Sequence, residues 1–371
     1  MSTFRQRQDA KFFARAARGF ATYASPDRSE GRLKRIVITG IALALLALVA
    51  LAALAGRGLS DFELKGVRVS TLTFRAGGTG LVGTLALPAG VPDAPIALLV
   101  HGDGPRTRFA DDAMLPLVNS LLDAGIGVFA WDKPGTGRSG GDWLAQSMQD
   151  RADETIAAMA RVRAAAGPAH EVGLLGFSQG GWVVPRVAGV VRPAFSVIVG
   201  GAVSWRRQGA YLTRQRLQST GLQPERIDAT LAAERRDNDA IFGRADMPAD
   251  PRRRPDIEPR RFGFIARNYL EDASQALATM QGPVLAVWGA ADRNVDPADE
   301  ADAYARAFAH QPGRRVMVVP GATHGLLRAG WFDYQLESDW PTWKTWLYMA
   351  LGRRAYAPGT LGPIEAWIRA Q

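Results

Sequence analysis

Five residues, Gly176-Phe177-Ser178-Gln179-Gly180, constrain this chain more than any other stretch. The run Glu171 to Leu175 before them reads as a short buried strand, and Gly181 to Ala188 after them can open as a helix. A strand that turns straight into a helix brings two backbones close and forces strained dihedrals on the corner residue. Gly176 and Gly180 therefore remove side chains that would collide there. A serine raised on such a turn has the form of a nucleophile elbow, which points to covalent catalysis. A serine hydroxyl is a weak nucleophile, so the rest of the chain has to supply a base and a group that orients it.

Strands and helices alternate around this turn. Phe62 to Phe74 and Gly80 to Leu87 read as a leading antiparallel pair, joined by Ala76-Gly77-Gly78-Thr79. Apolar strands follow at Ile96 to Val100 and Ile126 to Trp131, with helical stretches at Met114 to Ala124 and Asp153 to Ala166. After the elbow helix come strands at Phe195 to Val199, Pro283 to Trp288 and Arg315 to Val319. Strand and helix in alternation imply right-handed crossovers and a mainly parallel sheet. Between Val199 and Pro283 the chain is polar, arginine-rich and without strand signals. We read residues 204–270 as a helical insertion over the sheet, with helices near Tyr211 to Leu217 and Ile227 to Ile241, and a proline-rich loop from Asp246 to Pro259. Arg252-Arg253-Arg254 in that loop reads as a solvated charge run rather than a specific anion site.

Residues 36–55 carry no charge and are long enough to cross about 30 Å of hydrocarbon as a helix. Residues 1–35 are basic, so the positive-inside rule keeps them in the cytoplasm and places everything beyond residue 56 across the membrane. The reading is a transmembrane signal anchor; a cleaved signal peptide is the competitor, because Ala53-Leu54-Ala55 resembles a small-residue cleavage site. The formal charge of +9 does not call for nucleic acid, since the arginines gather in the first 35 residues and in the insertion rather than along a binding motif. With no cysteine, thiolate metal sites and disulfide scaffolds are excluded.

The chain has four histidines. His101, His170 and His310 are poorly placed to serve the serine, whereas His324 lies in a loop directly after a strand and downstream of Ser178. His324 is the expected base. The expected acid is Asp292, close to the carboxyl end of the strand Pro283 to Trp288, which gives the chain order Ser, Asp, His. Asp296 is held in reserve, as it precedes a proline and a helix that it could cap. Asp111-Asp112 could start a helix, and Gly135-Thr136-Gly137 lacks the lysine and spacing of a phosphate loop. Trp331, Trp340, Trp343, Trp346 and Tyr348 are read as a helix packed on the sheet, ahead of a membrane-interface or substrate-channel role.

As a set, the elbow, the His101-Gly102 turn, the Asp132 to Ser139 loop, the Asp292 loop and the His324 loop resemble an α/β-hydrolase over residues 62–350. More narrowly, the chain is similar to bacterial serine hydrolases related to dienelactone hydrolases and to prolyl-oligopeptidase-type esterases and peptidases. The resemblance implies Ser178 as nucleophile, His324 as general base and acid, Asp292 as the orienting carboxylate, and the backbone N–H groups of Asp103 and Gln179 as an oxyanion hole. A carboxylate beside a developing oxyanion opposes catalysis, so only the amide of Asp103 is expected to face the site.

The expectation is an α/β-hydrolase fold: a mostly parallel sheet flanked by helices, with a helical lid insertion and an N-terminal transmembrane helix. Its core is residues 62–203 and 271–371. The expected activity is cleavage of a carboxylic ester, or of a thioester or amide, in a small-molecule acyl substrate. No metal, no organic cofactor and no nucleic acid enter that expectation. Its location is the bacterial inner membrane, single pass, with the catalytic domain periplasmic or extracellular. The alternatives are a serine peptidase acting on short peptides and a catalytically silent hydrolase-fold binding protein at the membrane.

Overall fold

The computed structural model describes residues 28–244, 249–309 and 311–371. His310 and most of the basic N-terminal stretch lie outside the described residues. The chain divides into two units, Met1–Gly56 and Arg57–Gln371. Helix α1 (Arg28–Ser60) runs through the apolar segment, and its part Arg35–Ser60 is long and apolar enough to cross a membrane by length and composition. Its large apolar side chains, Ile36 to Leu54, are exposed.

The second unit is built on a sheet that has eight strands among the described residues: β1 (Val67–Ala76), β2 (Thr79–Pro88), β3 (Ile96–Val100), β4 (Gly127–Trp131), β5 (Val172–Phe177), β6 (Ser196–Val199), β7 (Val284–Gly289) and β8 (Arg314–Val319). They lie in the order β1-β2-β4-β3-β5-β6-β7-β8. β2 pairs antiparallel with β1 and β4, and every later pairing is parallel. The central strands are apolar but for Ser196 because both faces are covered by helices, while β8 at the edge is only partly buried. The first strand begins at Val67, not at Phe62 as the apolar pattern suggested. Asp61 and Phe62 are used elsewhere: Asp61 pairs with Arg353 at 2.8 Å, and the Phe62 ring meets Tyr348 edge-on at 5.6 Å.

One face of the sheet carries α3 (Met148–Ala166), α4 (Gly180–Val190) and α9 (Pro297–Phe308), whose Met159, Val187 and Tyr304 join one core cluster with strand residues such as Leu98 and Trp288. The other face carries α2 (Leu115–Asp123) and the C-terminal α12 (Leu361–Arg369), with Val118, Leu121, Ile364 and Ile368 in a second cluster. Helix α3 starts five residues before the periodic pattern indicated. Ser147 caps it by accepting from Asp150 N while the Asp150 carboxylate accepts from Ser147 N, a capping box. Asp111 and Asp112 do not open α2; with Ala110 they form a left-handed turn at φ of 53°, 51° and 70°.

The register places the strand ends. Val100 is opposite Gly176, Phe177 opposite Val199, and Gly289 opposite Val319. The loops that follow β3, β5, β6, β7 and β8 therefore leave the sheet at one edge. Between β6 and β7 the chain builds α5 (Trp205–Ser219), α6 (Pro224–Phe242), a 3-10 turn (Pro251–Arg253), α7 (Pro259–Asn268) and α8 (Ser274–Thr279). Ile241, Phe242, Phe262 and Tyr269 give this insertion a small core of its own. The arginine run is paired locally: Arg252 with Asp250, Arg254 with Asp256, and Arg253 to the Ala240 carbonyl. At the C-terminus, after the short helix α10 (Ala329–Phe332), α11 (Thr342–Leu351) packs in a satellite cluster with Phe332 and Ala355 rather than on the sheet, and leaves Trp343 and Trp346 exposed.

Candidate active site

Ser178 is the residue between β5 and α4, and it takes a positive φ of 50°. For a non-glycine residue this conformation costs about 1–2 kcal/mol. The turn is held by Ser178 N donating to Val199 O and by Gly181 N donating to Ser178 O, both at 2.8 Å. A Cβ on Gly176 would lie 2.6 Å from Val184 Cγ2, and one on Gly180 would lie 2.9 Å from Val100 O, so the elbow's two glycines are required by close approach.

His324 and Asp292 come together as the sequence order suggested. His324 Nδ1 lies 2.7 Å from Asp292 Oδ2. The other carboxylate oxygen accepts from Asn294 N at 2.8 Å and Val295 N at 2.9 Å, so the acid is fixed on both sides and is only 3% exposed. Burial works to lower the His324 pKa, but the charge and hydrogen bond of Asp292, with Glu337 adding to them, outweigh it and hold the value above 6.5. Gly200, at φ 61°, forms a wall beside the ring: a Cβ there would sit 2.7 Å from His324 Cε1. Ser178 Oγ makes no hydrogen bond among the described residues.

Asp296, His101 and His170 are placed elsewhere. Asp296 accepts from Ala298 N and Asp299 N as the cap of α9. His101 is buried, and burial, helped by the charges of Lys133, Arg151 and Arg106, pushes its ring down to about 3, so it stays neutral. His170 Nδ1 is 2.8 Å from Ala94 O. Among the described residues no group of three or more acids and histidines is placed to hold a metal ion.

The amides of Asp103 and Gln179 are both free of protein acceptors among the described residues. Their direction follows from peptide planarity, since the C=O and N–H of one trans peptide point opposite ways. Buried Lys133 donates to Gly102 O at 3.2 Å and Gly104 O at 2.8 Å, drawing those carbonyls inward and turning Asp103 N–H outward. In the same way Gly181 N holds Ser178 O and turns Gln179 N–H away. The turn also abuts the serine, as a Cβ on Gly102 would lie 3.1 Å from Ser178 Cβ.

The Asp103 side chain departs from expectation. Its carboxylate also faces the cavity, where it accepts from Gln179 Nε2 at 3.0 Å and from both Arg261 Nη atoms at 3.0 and 2.8 Å. Burial raises its pKa, yet the hydrogen bonds and charge of Arg261, together with Lys133, bring it below the ordinary value. Behind Gln179, buried Arg151 donates to Gln179 Oε1 at 3.0 Å and to the His101 carbonyl. Lys133, Arg151 and Arg261 were not singled out by the sequence. Nothing local marks them among 45 lysines and arginines.

A cavity of about 1020 Å³ lies over Ser178, with Trp182, Trp205, Leu212, Phe242 and Arg261 among its lining. Insertion helix α5 also braces the acid loop: Tyr211 OH donates to Asp292 O and Gln208 Nε2 to Asn294 O, at 2.8 and 2.9 Å.

The sequence from 95 to 329 matches the family described as Serine aminopeptidase, S33. No curated protein matches the sequence. An esterase of Pyrococcus furiosus has a similar structure, with a TM-score of 0.50 at 16% identity, over 81% of this chain and 94% of that one. A bacterial membrane phospholipase A matches with a TM-score of 0.48 at 17% identity, over 92% and 98%. Dienelactone hydrolase from Anabaena variabilis matches with a TM-score of 0.42 at 14% identity, over 78% and 99%.

Proposed function

The chain belongs to the serine aminopeptidase S33 family of α/β-hydrolases, and from that premise we propose that it cleaves carboxylic esters through a Ser178 acyl-enzyme. Ser178 Oγ attacks the substrate carbonyl carbon while His324 Nε2 takes its proton. The oxygen that becomes negative is received by the amides of Asp103 and Gln179, worth several kcal/mol in the transition state. Collapse expels the alcohol, which takes the proton from His324, and water repeats the cycle to release the acid. Asp292 holds the imidazole and steadies its charged form. The observation that carries this reading is the 2.7 Å bond between His324 and the buried Asp292, placed against Gly200 at the end of the strand beside the elbow.

The family description makes peptide hydrolysis the second reading. An aminopeptidase has to receive an ammonium group, and the carboxylate beside the elbow, Asp103, is already taken by Arg261. Elsewhere the cavity wall mixes both signs, with Arg206, Arg207 and Arg214 beside Glu234, Asp237 and Asp272, so the preference rests on the pairing of Asp103. We therefore place esters first; the similar Pyrococcus furiosus protein is an esterase. Against a panel of p-nitrophenyl esters and aminoacyl anilides, kcat/KM is expected to favour esters by about 100-fold or more. Turnover of anilides alone would reverse the assignment. We also assign choice of acyl group to residues 204–270, as a lid. The same panel run on a chain lacking residues 206–261 checks this: unchanged relative rates for short and long acyl chains would remove the insertion from substrate choice.

We further propose that residues 36–55 anchor the enzyme in the inner membrane of a bacterium, with residues 1–35 cytoplasmic and the hydrolase unit on the far side. Protease added outside intact spheroplasts is expected to digest the chain beyond residue 56. A protected hydrolase unit would overturn the orientation.

A further inference from the structure

The side chains of the two residues proposed to donate the oxyanion amides are bonded to each other, and the insertion reaches them with one residue. Gln179 Nε2 donates to Asp103 Oδ1, and Arg261, in the first turn of α7, closes a two-pronged bond on the same carboxylate. The guanidinium lies 5.8 Å from the ring centre of Trp143 and 5.1 Å from that of Phe264, so its plane has walls as well as acceptors. Its neighbour Arg260 pairs with Asp142 at 2.8 Å, and buried Asn268, at the other end of α7, accepts from Met148 N at 2.9 Å. Helix α7 is thus fastened to the core at both ends, with Arg261 aimed at the oxyanion turn.

We propose that Arg261 is a positioning residue of the insertion, which neutralises the Asp103 carboxylate and fixes the turn so that its amide can receive the oxyanion. The inference rests on the oxyanion hole assigned above. It ties the lid to the chemical step: when Arg261 leaves, the carboxylate keeps only Gln179 and the charge of Lys133, and a less compensated negative charge stands beside the place where a second one must develop. The pair is half-exposed, with side-chain exposures of 35% and 44%, so it contributes little to folding and its effect falls on the transition state.

The test uses the second-order rate of labelling by a fluorophosphonate, which reads serine attack and oxyanion stabilisation without an acyl substrate in the cavity. Arg261→Ala is expected to slow labelling by about 10-fold while the thermal midpoint moves by no more than about 2 °C. Arg261→Lys restores the cation without the planar fork and should recover part of the rate. The decisive comparison is made in an Asp103→Asn background, where no carboxylate is left to neutralise. There Arg261→Ala should cost less than about 2-fold, because contacting residues are coupled. An unchanged labelling rate in Arg261→Ala, or an equal loss in both backgrounds, overturns the proposal. Failure of the underlying reading is separate: it shows as native protein that does not label at all, or that labels equally in Ser178→Ala.

Discussion

Ser178→Ala is expected to remove turnover, with kcat falling by roughly 10⁶-fold, to the background set by the remaining groups. The size follows from the proposed covalent chemistry: without Oγ no acyl-enzyme can form, and neither His324 nor the two amides can replace the missing bond. The substitution is also a clean one. Serine already sits at a positive φ of 50°, and alanine meets the same steric cost there, so the elbow keeps its shape. Neither elbow bond uses the hydroxyl, since Ser178 engages Val199 and Gly181 through backbone atoms. The variant should therefore unfold within about 2 °C of the native protein while losing fluorophosphonate labelling entirely. Equal labelling of the two proteins would remove Ser178 from the reaction.

Asp292→Asn is expected to lower kcat by about 10⁴-fold with the fold intact. Asparagine can still accept from Asn294 N and Val295 N with its carbonyl oxygen, but it then turns an NH₂ group towards His324. The imidazole has to present a lone pair to that group, which moves its proton to Nε2 and leaves nothing to receive the proton of Ser178. The pH profile carries a second signature. As the proposed base His324 must be neutral, and Asp292 raises its pKa from 6.5, so the acid limb of native kcat/KM is expected above that value. In the variant the limb moves to lower pH. Stability follows the same sign: a histidine with a raised folded-state pKa stabilises the fold below its unfolded pKa and loses that contribution as pH rises through the folded value. Asp292→Asn should therefore destabilise the protein more on the acid side of 6.5 than at pH 8. A limb that does not move would separate Asp292 from the function of His324.

The three residues carrying these predictions were legible because each follows a strand whose buried, apolar character is strong in the sequence. Position along the chain then became position along one sheet edge. The hairpin, the crossovers and the insertion were readable for the same reason. What could not be read depends on pairing across the chain. Lys133 acts on carbonyls 29 and 31 residues away, and Arg261 on a carboxylate 158 residues away. Their charge is common in this sequence, so no local pattern distinguishes them. The carboxylate of Asp103 was expected to turn from the site because a lone negative charge there is unfavourable. The partner that makes it tolerable lay in a segment whose proline-rich approach hides the helix at Pro259.

In the proposed reaction, the bond between Asp292 and His324 also orders events in time. With Nδ1 held by Asp292, Nε2 is the nitrogen left to serve the serine, and the absence of a side chain at Gly200 leaves the ring its place. Both proton transfers of the proposed reaction must then pass through Nε2, at one spot. The departing alcohol and the arriving water cannot share that spot, so the alcohol has to vacate it before deacylation begins. On the proposed mechanism the site works as a turnstile for oxygen nucleophiles, admitting one at a time.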